Sequence, residues 1–413
     1  MSLLFWLDLF RWLFSRTFRK AGELGDTVQK ILDHQRDVLP AANIANVEAA
    51  LAALKKTFRS GADAAAIKAQ MASLEEEANR WLRPYPNADF REYAVMFLEI
   101  AILILGSRAF LVQPMVIPTG SAQPTLWGIT YEDLRDKPEV VIPSGPMRLW
   151  DRWVNGISYY HVVAEQDLEL IDADRQPKTL VPFVSRQSLK TTAGDITIWF
   201  PPDSFPQQLG LLDDSLRFKK TSFRKGEDIV RARVTTGDHL FVERVTYNFR
   251  RPQRGEIIVF RSETHPGMTA NTHYIKRLVG LGGERISIGD DRHTYINGVP
   301  LTTNDHGFEK VFAFDPQRPP IRINQPDQNT YSGHLNGTVW YRAEGNAGAT
   351  RNFPDEKTEY TIRPGHYVCF GDNTMNSADS RAWGEPDFDQ KKVIGRSLFV
   401  FWPFTRRFGP ALH

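Results

Sequence analysis

From Tyr93 to Val112 the sequence YAVMFLEIAILILGSRAFLV is apolar apart from Glu99, Ser107 and Arg108, and about twenty helical residues span the ~30 Å hydrocarbon core of a bilayer. This run constrains the rest of the chain, because a membrane-crossing helix puts the residues before it and the residues after it on opposite sides. The competing reading is a buried helix of a soluble domain, since intramembrane Glu and Arg are expensive. Arg108 lies near one end and can snorkel, whereas Glu99 needs a partner, water or protonation. Arg80, Arg83 and Arg91 precede the run, and beyond it no lysine or arginine occurs until Arg135. That asymmetry places the N-terminal side in the cytoplasm and everything after Val112 outside it.

This division gives four regions. Residues 1–20 contain Leu3–Phe14 (LLFWLDLFRWLF), too short for a comfortable span, with Asp8 and Arg11 sharing a helix face. They predict an interfacial or short membrane helix, and Arg16, Arg19 and Lys20 suit anionic headgroups. Residues 21–92 predict a cytoplasmic helical hairpin, with apolar positions at helical spacing in NIANVEAALAALKKTF and AAIKAQMASLEEEANRWL and a turn at Gly61. Residues 93–112 are the transmembrane helix. From residue 113 to 413 the runs HLFVERVTYNF, GEIIVF, HYIKRLVGL and VIGRSLFVFWP, broken by Gly, Pro, Asn and Asp, predict a mainly β extracytoplasmic region. Within it residues 130–234 read as an inserted β-rich unit.

Charge and cysteine content narrow the chemistry. With 51 basic against 49 acidic residues the chain offers no broad field for nucleic acid. The single cysteine, Cys369, excludes an intrachain disulfide and a cysteine-built zinc site, and the ten histidines show no H-E-x-x-H spacing. No metal and no cofactor is expected.

Three segments stand out on physical grounds. In IPTGSAQPTLWG, Ile117–Gly128, the prolines and Gly120 set a sharp turn that presents Ser121 as a nucleophile beside a backbone N–H. Taken alone such a composition is simply a turn. In HYIKRLVGLGGE, His273–Glu284, Lys276 sits in an apolar β run; burial would disfavour its charged form and make it a base near neutral pH, while the plainer reading is a lysine on a solvent face. The third, FGDNTMNSADSRAWG, Phe370–Gly384, is dense in hydroxyls and acids, and its plainer reading is a capped loop.

In this order, just beyond a membrane span and with TTGDHLFVERV as a fourth element, these segments closely resemble the conserved boxes of bacterial type I signal peptidases (leader peptidases). The resemblance covers most of the region outside the membrane except the long insert. It implies a signal-peptidase-like β fold and a serine protease of the cytoplasmic membrane that removes signal peptides from membrane-tethered preproteins. It further implies that Ser121 is the nucleophile, Lys276 its general base, and Thr119 an oxyanion donor together with the N–H of Ser121. Ser377 would orient the lysine, with Asp379, Arg381, Arg277 and Asp372 as an ionic brace. The pocket for the residue before the cut would be walled by Ile117, Ala122, Leu126, Tyr274 and Ile275. Ala122 departs from the family's methionine, and Gly280-Leu281-Gly282-Gly283 lacks the usual proline. Alanine leaves about three heavy atoms fewer than methionine, which implies a roomier pocket. VIPSGPM, Val141–Met147, echoes the nucleophile box but has Pro146 in the serine's place.

Two other readings compete. A Ser-His-Asp hydrolase would pair Ser121 with His239 or His273. A catalytically inactive membrane scaffold of the same fold would bind partners through the insert and the hairpin.

Overall fold

The computed structural model describes residues 15–411 except 61–62, 84–87, 182–183, 214, 325–327 and 347. The expected helix at Leu3–Phe14 and the turn at Gly61 lie outside the described residues. The chain divides into two units, Met1–Ile102 and Leu103–His413, so the division falls inside the apolar helix rather than at its end.

In the first unit the sequence predicts a two-helix hairpin, and the described residues form three helices before the apolar one: Arg16–Gln35, Ala41–Arg59 and Ala64–Trp81. The additional helix is hard to see because Gly22 and Gly25 depress its propensity. Its buried positions, Phe18, Ala21, Val28 and Leu32, nevertheless recur at helical spacing and pack with Val47, Leu51, Leu54, Ile67 and Leu74. Tertiary burial of that stripe stabilises a segment whose local preference is weak. Asp63 caps the third helix through the Ala66 N–H at 2.9 Å. Buried Gln35 bonds both backbone groups of Arg83, fixing the end of the unit against its first helix.

The helix Ala88–Gly106 continues as a π-helical turn, Ser107–Leu111. Phe90–Leu111 is long and apolar enough to cross a membrane, and none of its most apolar window is buried within the protein. A core helix of a soluble domain would bury such side chains, and this one exposes them.

The second unit is mainly β, as the sequence implies. Its principal sheet has the antiparallel order Val112–Val116, His239–Glu243, Val393–Trp402, Ile257–Arg261, His273–Leu281, His366–Phe370, Phe388–Asp389, with Gly409–Pro410 on the Val393–Trp402 strand. Residues far apart in sequence thus become neighbours: Lys276 lies opposite Ile258, and Arg277 opposite both Ile257 and Phe370. A four-stranded sheet built from Arg285–Ile288, Thr294–Ile296, Val299–Pro300 and Glu359–Thr361 extends this region.

The stretch between Thr130 and Val234 is β-rich and encloses an apolar cluster of its own, including Leu170, Leu189, Ile198, Phe205, Phe223 and Ile229. It joins the main sheet at a neck, where the N–H of Trp127 donates to the Asp238 carboxylate and the N–H of Asp238 donates to the Trp127 carbonyl, both at 2.8 Å, and also through the carbonyls of Trp153 and Val154, which accept from Trp402 Nε1 and the Phe404 N–H. At Gly237 a Cβ would lie 1.8 Å from the Ile117 carbonyl oxygen, so only glycine lets the neck pass the serine turn.

Candidate active site

A single 3₁₀ turn, Gly120–Ala122, carries Ser121 between two extended residues, Thr119 and Gln123. Two backbone bonds and one side chain hold it in place. The N–H of Asn373 donates to the Ser121 carbonyl at 3.1 Å, that of Leu126 to Ala122 at 2.9 Å, and Asn373 Nδ2 to the Gly120 carbonyl at 2.9 Å. Gly371 is required beside it, because a Cβ there would meet the Ser121 carbonyl at 2.4 Å and Ser377 Oγ at 2.2 Å.

Successive residues of a strand point to opposite faces. On His273–Leu281 this sends Lys276 toward the serine turn and Arg277 toward Asp372. Lys276 is 4% exposed, and its Nζ lies 2.6 Å from Ser121 Oγ. Burial disfavours the ammonium and outweighs the nearby Asp379 carboxylate, lowering the amine to about 8. The plainer expectation of a solvent-face lysine is therefore not met. The extended apolar run that suggested a half-exposed strand is covered on both faces, as a central strand of a sheet commonly is.

The Thr119 hydroxyl is 3.5 Å from Ser121 Oγ. Among the described residues Lys276 and Thr119 are the hydrogen-bond partners of the Ser121 hydroxyl, and neither is a histidine. Ser377 is 3% exposed beside Gly371, and its hydroxyl makes no hydrogen bond among the described residues. The expected bond from Ser377 to the lysine is thus absent from this geometry, although the two lie in the same buried region.

Around this centre lie two buried ion pairs. Asp379 accepts a fork from Arg381 Nε and Nη2 at 2.9 and 2.8 Å and also takes the Gly371 N–H at 2.9 Å. Arg381 spends its remaining donors on Thr374 and the Leu335 carbonyl. Asp372 accepts from Arg277 Nε at 2.8 Å and Nη2 at 2.5 Å, while Arg277 Nη1 reaches the carbonyls of Gly255 and Gly307. Burial alone would favour protonated carboxyls, but the guanidinium partners hold both aspartates below the usual carboxylate range. Among the described residues no group of three or more His, Cys, Asp or Glu is arranged to hold a metal ion.

The five pocket residues are not all brought together. Ile117, Ala122 and Leu126 are buried, at 3%, 5% and 1% exposure, in one cluster with Leu240, Val242 and Val259, and Ile275 packs against it. Tyr274 belongs to a different cluster, with Phe260, Trp383 and Phe388, because strand alternation turns it away from Ile275.

Sequence reasoning missed Thr125, Asn373 and Asp238 with its partner Arg407. Thr125 donates to Asp372 at 2.5 Å, and Arg407 Nε donates to Asp238 at 2.9 Å beneath the neck. Thr125 and Asn373 lie inside the motifs already singled out, so their place in the motif was a signal. Arg407 carries none.

Known proteins match part of this region, from Gly226 to Trp402. The family described as signal peptidase, peptidase S26, matches residues 226–402. Signal peptidase I of Pseudomonas fluorescens is 28% identical over 192 residues, covering 41% of this chain and 61% of that protein. Signal peptidase I of Pseudomonas aeruginosa is 28% identical over 194 residues with the same shares. The chain therefore spans 61% of the length of these curated relatives. A crystal structure of a signal peptidase I from Enterococcus faecalis V583 is 26% identical and covers 36% of this chain and 97% of that one; at a TM-score of 0.21 that superposition is too loose to support any conclusion. The matched segment contains the lysine strand and the Phe370–Gly384 loop, and over that segment the chain is similar to the signal peptidase family, peptidase S26.

Proposed function

We propose that this protein is a membrane-bound serine endopeptidase that removes N-terminal signal peptides from exported preproteins, with Ser121 as nucleophile and Lys276 as general base. The observation that carries this reading is the 2.6 Å contact between Ser121 Oγ and a buried lysine amine lowered to about 8. A neutral amine at that distance can take the hydroxyl proton as Oγ attacks the scissile carbonyl, and the resulting ammonium can return it to the leaving amine. The same lysine then activates the water that hydrolyses the acyl-enzyme. Thr119 and the Ser121 N–H are the proposed donors to the oxyanion.

The setting supports the substrate class. Only a short strand and the turn separate the apolar helix Phe90–Leu111 from Ser121. If that helix crosses the bacterial cytoplasmic membrane with its N-terminal side inside, the nucleophile works close to the outer surface, where a membrane-tethered preprotein presents its cleavage point.

The test is cleavage of a preprotein by the purified chain. Lys276→Ala should lower the rate by roughly 10⁴-fold, on the scale of removing a base from a serine hydrolase. Wild-type turnover should rise with pH as the ammonium loses its proton and level off above about 8. Lys276→Ala cleaving as fast as wild type would overturn the mechanism, and a wild type that cleaves nothing would favour the inactive scaffold.

A further inference from the structure

Beside the serine turn is a polar cleft of about 540 Å³, within the size range of ligand-binding sites. One wall is the turn itself, with Pro118, Thr119 and Gly120. The opposite wall comes from the insert, with Tyr131, Asp203 and Gln208. None of the residues assigned to the pocket before the cut lines it: Ile117, Ala122 and Leu126 are buried in the sheet core, with Ile275 against them.

The insert loop that forms the far wall is held in place. Phe205 is fully buried in the insert's own core. Tyr160 donates to the Phe200 carbonyl at 2.6 Å, Tyr131 to the Asp203 carbonyl at 3.4 Å, and Gln176 Nε2 to Ser204 Oγ at 3.2 Å. Phe200 and Ser204 adopt positive φ, 54° and 55°, a conformation that side chains other than glycine's disfavour and that surrounding contacts must stabilise. This fixed backbone presents Asp203, whose carboxylate makes no ion pair among the described residues. Asp203 is also the only formally charged residue among the described residues that line the cleft.

We propose that this cleft receives the polypeptide on the mature side of the scissile bond, and that Asp203 selects for a basic residue there. The inference rests on the peptidase reading above. A chain attacked at Ser121 must continue past the oxyanion donors in both directions. With the Ile117–Ile275 side assigned to residues before the cut, the cleft lined by Thr119 and Gly120 of the nucleophile turn offers a path for the residues after it. The insert thus becomes part of the substrate site, contributing a charge that the main sheet does not place there.

The experiment measures kcat/KM for peptides identical up to the cut and carrying Lys or Glu at the first, second or third position after it. The Lys-to-Glu ratio is taken within each protein, which cancels differences in folded fraction. Wild type should prefer Lys by roughly three- to fivefold at one of these positions, the scale of an exposed charge pair, and 1 M salt should flatten the preference. Asp203→Asn should bring the ratio close to one, and Asp203→Lys should invert it. A wild type that cleaves without charge preference at any position, or a preference unchanged in Asp203→Lys, would overturn the inference while leaving the peptidase reading intact. A wild type that cleaves none of the peptides or preproteins removes both.

Discussion

The reacting groups and the ion pairs around them are equally buried but very unequally satisfied. Lys276 has one hydrogen bond among the described residues, to Ser121, and the Ser377 hydroxyl has none. A few residues away, Arg381 uses all three of its nitrogens and Asp379 accepts from its guanidinium and two backbone N–H groups. Unpaired buried polar groups are costly and uncommon. The Ser377 hydroxyl is one such group, alongside others such as His334 Nε2 and Trp383 Nε1, and it lies next to a lysine with a single partner, in contrast to the frame formed by the fully bonded Arg381–Asp379 pair.

That contrast breaks most directly at the frame. Arg381→Met leaves the Asp379 carboxylate buried without its partner and should destabilise the second unit by about 3–5 kcal/mol. The stability contributed by Asp379 and Asp372 has a defined pH sense. Both are held below the ordinary carboxylate value in the folded protein, so their contribution is present at neutral pH and is lost as pH falls below about 4. Thermal unfolding in detergent between pH 3 and 7 measures both effects. A variant as stable as wild type would mean that the frame is not what the hydrogen bonding implies.

On the reacting side the expected losses are kinetic. Thr119 is exposed and bonds only the Ser121 hydroxyl among the described residues, so Thr119→Val should leave the melting temperature nearly unchanged. It should cost about 2.7–4 kcal/mol of transition-state stabilisation if the hydroxyl meets the oxyanion. An unchanged kcat would remove Thr119 from the site.

Ser377→Ala sharpens the comparison further, because it deletes a buried hydroxyl that has no partner to lose. Stability should hold or rise slightly, whereas kcat should fall about tenfold if the hydroxyl reaches the lysine during the reaction. The pH at which activity levels off should also move. A variant that loses stability with an unchanged pH profile would make Ser377 a structural residue.

The frame and the reacting centre were also unequally legible in the sequence. Ser121, Lys276, Asp379 and Arg381 were found through motifs, not through local chemistry: Lys276 alone read as a solvent-face lysine, and only the register with Ile258 and the cover over both faces of its strand make it buried. The helical packing of the first unit was half visible, because Gly22 and Gly25 concealed the helix Arg16–Gln35 that packing stabilises. The cleft at Asp203 was invisible, since it brings residue 203 beside residue 119 through tertiary folding of an insert without a recognisable motif. Alternation could have separated Tyr274 from Ile275, because adjacent strand residues do not line one pocket wall.

The smallest expected effect on function is at Ala122, where the sequence implied a roomier pocket before the cut. The side chain is 5% exposed in the cluster with Ile117 and Leu126, and Met115 packs against the same cluster, so the side chain faces apolar neighbours and not open solvent. A void left open would have forfeited contacts with its lining, and cores close such gaps by repacking. Ala122→Met therefore adds volume to a packed interior instead of rebuilding a missing wall. It should lower stability by about 1–3 kcal/mol through overpacking. Its effect on discrimination among Gly, Ala, Ser, Thr and Val before the cut should stay under about 1 kcal/mol, below the usual worth of one methylene-sized contact. Cleavage of that substrate series measures the second quantity independently of the first. If Ala122→Met sharply excludes Thr and Val while wild type accepts them, the side chain at 122 faces the substrate and its burial describes only the empty enzyme.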